Sequence, residues 1–292
     1  MDQDDVDPRV VRAILRYLAE HPRAADTTDG IQRWWLRGEV QDATHESIVT
    51  VIDHLVRSGY LERHALPSGG AVYRAAAGSG PRKDSRRTGL ERWRLLWASL
   101  GAPQANDDLY AALRTRYAER HRHYHTLRHI EECFAHLDDL RRLAEHPAEV
   151  EVALWFHDAI YQPKRKDNEQ RSAKWAKTSL TAVGIDEMVG QRVADLILAT
   201  RHAALPKTMD AKVLVDVDLS ILGVDAARFE EYEAQVRKEY QWLPSPMYRR
   251  ERSKVLKKLL DRPQIFSTER MFRELESRAR ENLNRSLARL GR

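Results

Sequence analysis

Glu149-Val150-Glu151-Val152-Ala153-Leu154-Trp155-Phe156-His157-Asp158-Ala159-Ile160-Tyr161 is the stretch on which both the fold and the chemistry of this 292-residue sequence turn. It reads as a largely apolar helix from about Glu149 to Tyr161, with an imidazole and a carboxylate, His157 and Asp158, side by side near its end. Burying both groups without a partner would cost several kcal/mol, so something must satisfy them. A divalent cation would. Pairing with each other or with a nearby arginine would also do, and is the plainer arrangement for an isolated His-Asp pair.

Outward from this stretch, the apolar pattern stays helical from about Arg92 onward without sustained alternation at period two, so the second part of the chain reads as all-α. Three further segments there carry polar groups of the same kind: Arg122-His123-Tyr124-His125-Thr126-Leu127-Arg128-His129-Ile130, Asp167-Asn168-Glu169-Gln170-Arg171-Ser172-Ala173 and Asp216-Val217-Asp218-Leu219-Ser220-Ile221-Leu222-Gly223. Stepping helically from Lys212 to Gly223, Asp218 falls within about 25° of the mean apolar direction, whereas Asp216 lies nearly opposite. Asp218 is therefore expected to be the buried carboxylate, and Asp216 a surface group or a support behind a ligand. His121, His123, His125, His129 and His136 crowd one region, where at most one or two are ligands. His125 and His129, one turn apart on a shared face, both remain candidates.

With 42% hydrophobic and 8% aromatic residues, the chain is neither a disordered polymer nor a collagen-like repeat. No apolar run approaches the roughly 20 residues of a bilayer span, and the acidic opening Met1-Asp2-Gln3-Asp4-Asp5 is no signal peptide. A cytoplasmic protein without a membrane partner is expected. The single cysteine, Cys133, excludes an intrachain disulfide and a thiolate zinc cluster, which leaves histidines and carboxylates for any metal chemistry. The sequence holds no GxxxxGK[ST], GxSxG, HExxH or paired CxxC motif.

Charge is unevenly spread. Residues 1–80 hold nine arginines, no lysine and twelve acids, a net −3, so that residues 81–292 carry +8 of the overall +5. The stretch from Gly78 to Gly89 is rich in Gly, Ser, Pro and charge, which predicts a first domain of residues 1–78, a linker of 79–91 and a second domain of 92–292.

In the first domain, Pro8 suits a helix start and Val10, Val11, Ile14, Leu15 and Leu18 follow at helical spacing up to His21-Pro22. A second helix is expected from Asp29 through Trp34 and Trp35 to Gly38. A third begins near Thr44, turns Ile48, Val51, Ile52, Leu55 and Val56 inward and closes at Ser58-Gly59. Tyr60-Leu61-Glu62-Arg63 and Ala71-Val72-Tyr73-Arg74 then flank Pro67-Ser68-Gly69-Gly70 as a hairpin. Three helices followed by a hairpin resemble the winged helix-turn-helix family, whose third helix usually reads DNA. The outward residues here, His45, Glu46, Thr50, Asp53, His54 and Arg57, are mixed, and a net −3 repels phosphates. Docking of a protein partner is favoured over DNA. One ring of Trp34-Trp35 is expected in the core, the other in the core or exposed as a docking anchor.

His125, the His157-Asp158 pair and Asp218, spaced by 32 and 60 residues, resemble the pattern of the HD-domain metal-dependent phosphohydrolases. Residues from about Trp93 to Leu290 are similar to a bacterial subgroup of predicted HD phosphohydrolases. That subgroup shares the Arg-His-Tyr-His, Phe-His-Asp, Asp-Asn-Glu and Asp-Leu-Ser-Ile-Leu-Gly blocks, Arg237-Lys238-Glu239-Tyr240 and Ala279-Arg280-Glu281-Asn282-Leu283. The resemblance implies a mainly α protein, an all-α HD-domain bundle preceded by a small α+β winged-helix domain. It also implies His125, His157, Asp158 and Asp218 as metal ligands, and so favours His125 over His129.

Such a nitrogen and oxygen donor set suits Mn²⁺, Mg²⁺, Fe²⁺, Ni²⁺ or Zn²⁺, one ion rather than two, and leaves room for water and a phosphate oxygen. The expected reaction is hydrolysis of a phosphoester or phosphoanhydride in a nucleotide or similar small molecule. Glu169, beside Asp158, is the candidate for handling the proton, with Asp167 a weaker one. Arg128, Lys164, His129 and His202 are candidate substrate contacts. Arg165, Lys166 and Lys207 are further sources of charge, although a run such as Lys164-Arg165-Lys166 is usually a solvated loop. The alternative function is a regulatory protein whose winged helix binds DNA or a protein and whose HD domain is a ligand sensor or a nuclease.

Overall fold

The structure, a computed structural model, describes residues 6–21, 23–38, 40, 42–57, 60–66, 69–75 and 89–291. Most of the expected linker, and the expected helix ends at Pro22 and Ser58-Gly59, lie outside the described residues. The described residues form two compact units. One lies within Met1–Tyr110 and Leu180–Asp186, the other within Ala111–Ser179 and Glu187–Arg292. Thirteen α-helices and one small sheet occur among them, so the protein is mainly α, and no helix there is long and apolar enough to cross a membrane.

In the first unit, α1 (Pro8–Glu20) starts where the Asp7 carboxylate accepts the Arg9 backbone N–H at 2.8 Å. Strand β1 (Ala25–Asp26) leads into the short α2 (Thr28–Gly30), which widens into a π-helical turn over Ile31–Trp35. Helix α3 (His45–Arg57) begins where Thr44 Oγ1 accepts the Ser47 N–H at 3.2 Å. Strands β2 (Leu61–Ala65) and β3 (Ala71–Ala75) form the expected hairpin, with Leu61 opposite Ala75 and Ala65 opposite Ala71. Beyond expectation, β1 pairs antiparallel with β3 and makes a three-stranded sheet of order β1-β3-β2. A two-residue strand carries no readable alternation, which is why the pattern misses it.

The core of this unit gathers Val10, Ile14 and Leu18 of α1, Ile48, Val51, Ile52 and Leu55 of α3, and Leu61 and Tyr73 of the sheet. Trp35 is buried among them while Trp34 stands 53% exposed. Leu95 and Ala98 of α4 (Gly89–Ser99) join the same core. Helix α4 therefore groups with the first unit, although composition assigned residues from 92 onward to the second domain. A polar linker marks a break in the chain and does not say against which core the next amphipathic helix packs.

The second unit is built on α5 (Asp107–Tyr117) from Ala111 on, α6 (Leu127–Leu140), α7 (Pro147–Phe156), α8 (Asn168–Ala182) up to Ser179, α9 (Glu187–Ala199), α10 (Met209–Asp218), α11 (Ala226–Glu239), α12 (Ser245–Leu260) and α13 (Glu269–Leu290). Helix α7 packs against α6, α9 and α10, and every residue from Glu149 to Phe156 is buried. Two glutamates are tolerated there because each has its own arginine. Glu149 is held in a two-pronged pair with Arg192 at 2.6 and 2.8 Å, and Glu151 pairs with Arg141.

Helix α10 corrects one expectation. Asp216 is not at the surface but fully buried, and its carboxylate accepts the backbone N–H groups of Ser267 at 2.8 Å and Thr268 at 2.6 Å, just before α13. A face average assumes one wet side, whereas Val213 to Val217 of α10 are covered all round. The 3₁₀ turn that follows, Leu219–Gly223, packs on α13 so closely that a Cβ on Gly223 would fall 2.5 Å from Leu275 Cβ.

Replacing Asp216 with Ala leaves two N–H groups near the start of α13 without acceptors. The expected loss is about 1–3 kcal/mol, read as a lower midpoint of urea unfolding, with exposed Lys207→Ala as a control that changes little. An Asp216→Ala midpoint equal to the control's would refute the capping role.

Candidate metal centre

Helix ends bring the functional groups together. His129 lies in the first turn of α6, His157 caps the C-terminus of α7, Asp158 follows it, and Asp218 ends α10. His129 Nε2 is 3.2 Å from His157 Nε2, 3.3 Å from Asp218 Oδ1 and 3.8 Å from Asp158 Oδ2. His157 Nε2 is 3.0 Å from Asp158 Oδ2 and 3.5 Å from Asp218 Oδ1. Nitrogen and oxygen ligand atoms of His129, His157 and Asp218 all lie within 4.8 Å of one another.

The hydrogen bonds behind these rings set what faces inward. His157 Nδ1 is 2.9 Å from the Leu154 carbonyl, which can only accept, so the ring hydrogen sits on Nδ1 and Nε2 is left toward the carboxylates. His129 Nδ1 faces the Tyr124 hydroxyl at 3.0 Å, which lets its Nε2 point inward in the same way. Acceptors at such distances repel unless positive charge lies among them, either as protons on the rings or as a cation. Burial pushes the His157 pKa down, but Asp158 and Asp218 more than reverse this and hold it well above the ordinary histidine value. Burial likewise pushes both aspartates up, and the neighbouring imidazoles bring them below the usual carboxylate range. Donors of this kind, without sulfur, fit a divalent cation. Cys133 Sγ lies beside His129, but burial raises its pKa well above the usual thiol value, so it stays a neutral thiol.

Of the four ligands implied by resemblance, His157, Asp158 and Asp218 face one another, while His125 stands at the edge of the group, its ring centroid 6.2 Å from that of His129. His129, expected as a substrate contact, takes the place beside His157. His125 precedes α6, which starts at Leu127, so the two histidines do not share a helical face. The His125 ring instead stacks on Tyr161 at 4.1 Å, and its Nδ1 bonds Glu239 Oε2 at 2.7 Å.

His202 Nε2 bonds Asp218 Oδ2 at 3.1 Å. Its backbone is left-handed, with φ 52°, as is common just past a helix end, and its Nδ1 is buried without a partner. Glu169, in the first turn of α8, makes no hydrogen bond or ion pair with the cluster among the described residues. Its neighbours close the local loop instead: Asp167 pairs with Arg165 at 2.7 Å, and Asn168 Oδ1 accepts the Gln162 N–H at 3.1 Å. Arg128 is taken up by Glu231 at 2.5 Å and Glu132 at 3.1 Å, and Lys164 Nζ sits 5.2 Å over the exposed Trp242 ring.

Two residues named only as parts of longer blocks turn out to organise the centre. The buried Arg122 guanidinium donates to the carbonyls of His125 at 3.1 Å, Asp158 at 2.6 Å and Ala159 at 3.1 Å, tying the turn before α6 to the turn after α7. Glu239 closes the same turn from α11. Arg122 reaches carbonyls up to 37 positions away and Glu239 reaches backbone N–H groups 114 to 116 positions away, partners that sequence spacing does not show.

No protein-family model, curated protein or solved structure matches this chain.

If the cluster holds a cation, Mn²⁺ at roughly a hundred times its dissociation constant should add about 2.7 kcal/mol of stability, visible as a higher Tm that excess chelator reverses. His157→Ala and Asp218→Ala should each abolish that rise. An undiminished rise in both variants would place the cation elsewhere.

Proposed function

We propose that the second unit is a metal-dependent phosphohydrolase of HD-domain type, acting on a phosphoester or phosphoanhydride of a nucleotide or nucleotide-like molecule. The observation that carries the reading is the facing of His129 Nε2, His157 Nε2, Asp158 Oδ2 and Asp218 Oδ1 across 3.0 to 3.8 Å. One such group occurs among the described residues, which supports one cation. A cation bound there would lower the pKa of a water and polarise a phosphoryl oxygen.

The chain's own residues do the arranging. The Leu154 carbonyl fixes the His157 tautomer, and Arg122 fixes the Asp158 backbone. His202 holds Asp218 Oδ2, which leaves Oδ1 toward the two imidazoles. With Glu169 making no bond to the cluster, Asp158 is the carboxylate assigned to orient an attacking water.

A wall of rings supports a substrate with a base. His125 stacks on Tyr161, and close by in the chain after Glu239 the Tyr240 ring lies 6.4 Å from that of Trp242. Trp242 is 45% exposed with the Lys164 ammonium over it, an aromatic face beside a positive charge. For the first unit, the order of helices and hairpin and the exposed Trp34 support a winged-helix module that docks a protein partner. The outward residues of α3 support no phosphate-binding face.

With Mn²⁺ and a panel of nucleotides and single-stranded DNA, the wild-type protein should hydrolyse a nucleotide and Asp158→Ala should lose more than roughly a hundredfold of that rate. Equal rates would sink the assignment. Trp242→Ala should raise KM about tenfold for nucleotides, and leave a phosphoester without a base unaffected. Duplex DNA should bind weakly and without sequence preference; nanomolar, selective binding at physiological salt would contradict the docking role.

A further inference from the structure

Glu239 is the most heavily used buried carboxylate that the proposed chemistry leaves without a role. Its side chain is fully buried, and its two oxygens divide their work. Oε1 accepts three consecutive backbone N–H groups, from His123 at 2.7 Å, Tyr124 at 2.8 Å and His125 at 3.0 Å, and so shapes the turn before α6. Oε2 accepts from His125 Nδ1 at 2.7 Å and from the Tyr161 hydroxyl at 2.8 Å. Tyr161 is also the ring on which His125 stacks.

Three bonds to Oε1 suffice to hold a turn. The two bonds to Oε2 do something else. An ionised carboxylate can only accept, so His125 must carry its hydrogen on Nδ1, and in the neutral ring Nε2 is then the open nitrogen. That nitrogen has no protein partner among the described residues. The ring stands edge-on to His129 with centroids 6.2 Å apart, and Arg122 binds the carbonyls of both His125 and Asp158. A histidine held through one nitrogen by a buried carboxylate, with the other open and the ring edge-on to His129, is the arrangement that orients a metal-binding ring.

We propose that Glu239 is the positioning residue of the centre: it sets the tautomer of His125, so that Nε2 faces a bound divalent cation as an acceptor. This rests on the reading of the His129, His157 and Asp218 cluster as a metal centre. Glu239 acts through His125 and touches neither cation nor substrate.

Glu239→Gln tests it, because the amide oxygen can keep the three backbone bonds while the NH₂ replaces Oε2 and can only donate. His125 Nδ1 must then accept, which moves the ring hydrogen to Nε2. In mildly alkaline solution, where the ring is neutral, long-range ¹H–¹⁵N correlation should show His125 protonated on Nδ1 in the wild type and on Nε2 in Glu239→Gln. Mn²⁺ affinity by titration calorimetry should fall roughly 10- to 100-fold in Glu239→Gln and by a similar factor in His125→Ala. Combining the two substitutions should cost no more than either alone, whereas an independent structural role would add a further loss.

A wild type protonated on Nε2 overturns the proposal whether or not the variant folds. So does wild-type Mn²⁺ affinity in Glu239→Gln, and that result leaves the metal centre standing. If the wild type binds no Mn²⁺, the metal centre itself fails and the proposal goes with it.

Discussion

Two imidazole nitrogens and two carboxylate oxygens face one another at the meeting of α6, α7 and α10, and positive charge is the condition on which they can do so. Much of the second unit serves that condition. The Leu154 carbonyl takes the only hydrogen the neutral His157 ring possesses, and His202 takes the outer oxygen of Asp218. Each of these bonds would be ordinary in isolation. Together they turn acceptor atoms inward and remove the protein donors that would otherwise quench them. A protonated His157 satisfies the cluster when no cation is bound, which is why its pKa stands high and those of Asp158 and Asp218 stand low. A cation would displace that proton, and binding would be coupled to its release.

The surrounding fold supplies rigidity by the same means, burying charge only where a partner is built in. Glu149 and Glu151 enter the core with Arg192 and Arg141, Asp216 enters with two backbone N–H groups, and Glu239 enters with five donors. Removing one partner from such a set exposes the full cost of an uncompensated buried charge, so each set has one workable arrangement. The turns on either side of the centre inherit that definition through Arg122, whose guanidinium is shared among three carbonyls. Loops alone would not hold ligand atoms to a fraction of an ångström.

The helical character of residues beyond Arg92, the hairpin over Leu61–Ala75, and the convergence of His157, Asp158 and Asp218 were all legible in the sequence. Hydrophobic period reports these elements directly, and a polar pair inside an apolar run must be answered by something. His125 stands at the edge of the group, and its expected one-turn phasing with His129 fails because α6 starts only at Leu127. Asp216 was misjudged because a helix buried on every side has no solvent face for an average to find. Glu239, Arg122 and His202 were invisible as partners, since their roles depend on contacts such as the 114-residue separation of His125 and Glu239. Glu169 drew attention as a carboxylate near the right motif, yet its neighbours are occupied with closing the loop Gln162–Asn168.

A crystal structure of the protein grown with Mn²⁺, with anomalous differences recorded, tests the central claim most directly. The account predicts one strong peak about 2.0–2.3 Å from ligand atoms of His129, His157, Asp158 and Asp218. A clean anomalous map with no peak among these four side chains, or a peak held by other residues while His129 and His157 remain bonded to each other, would contradict it.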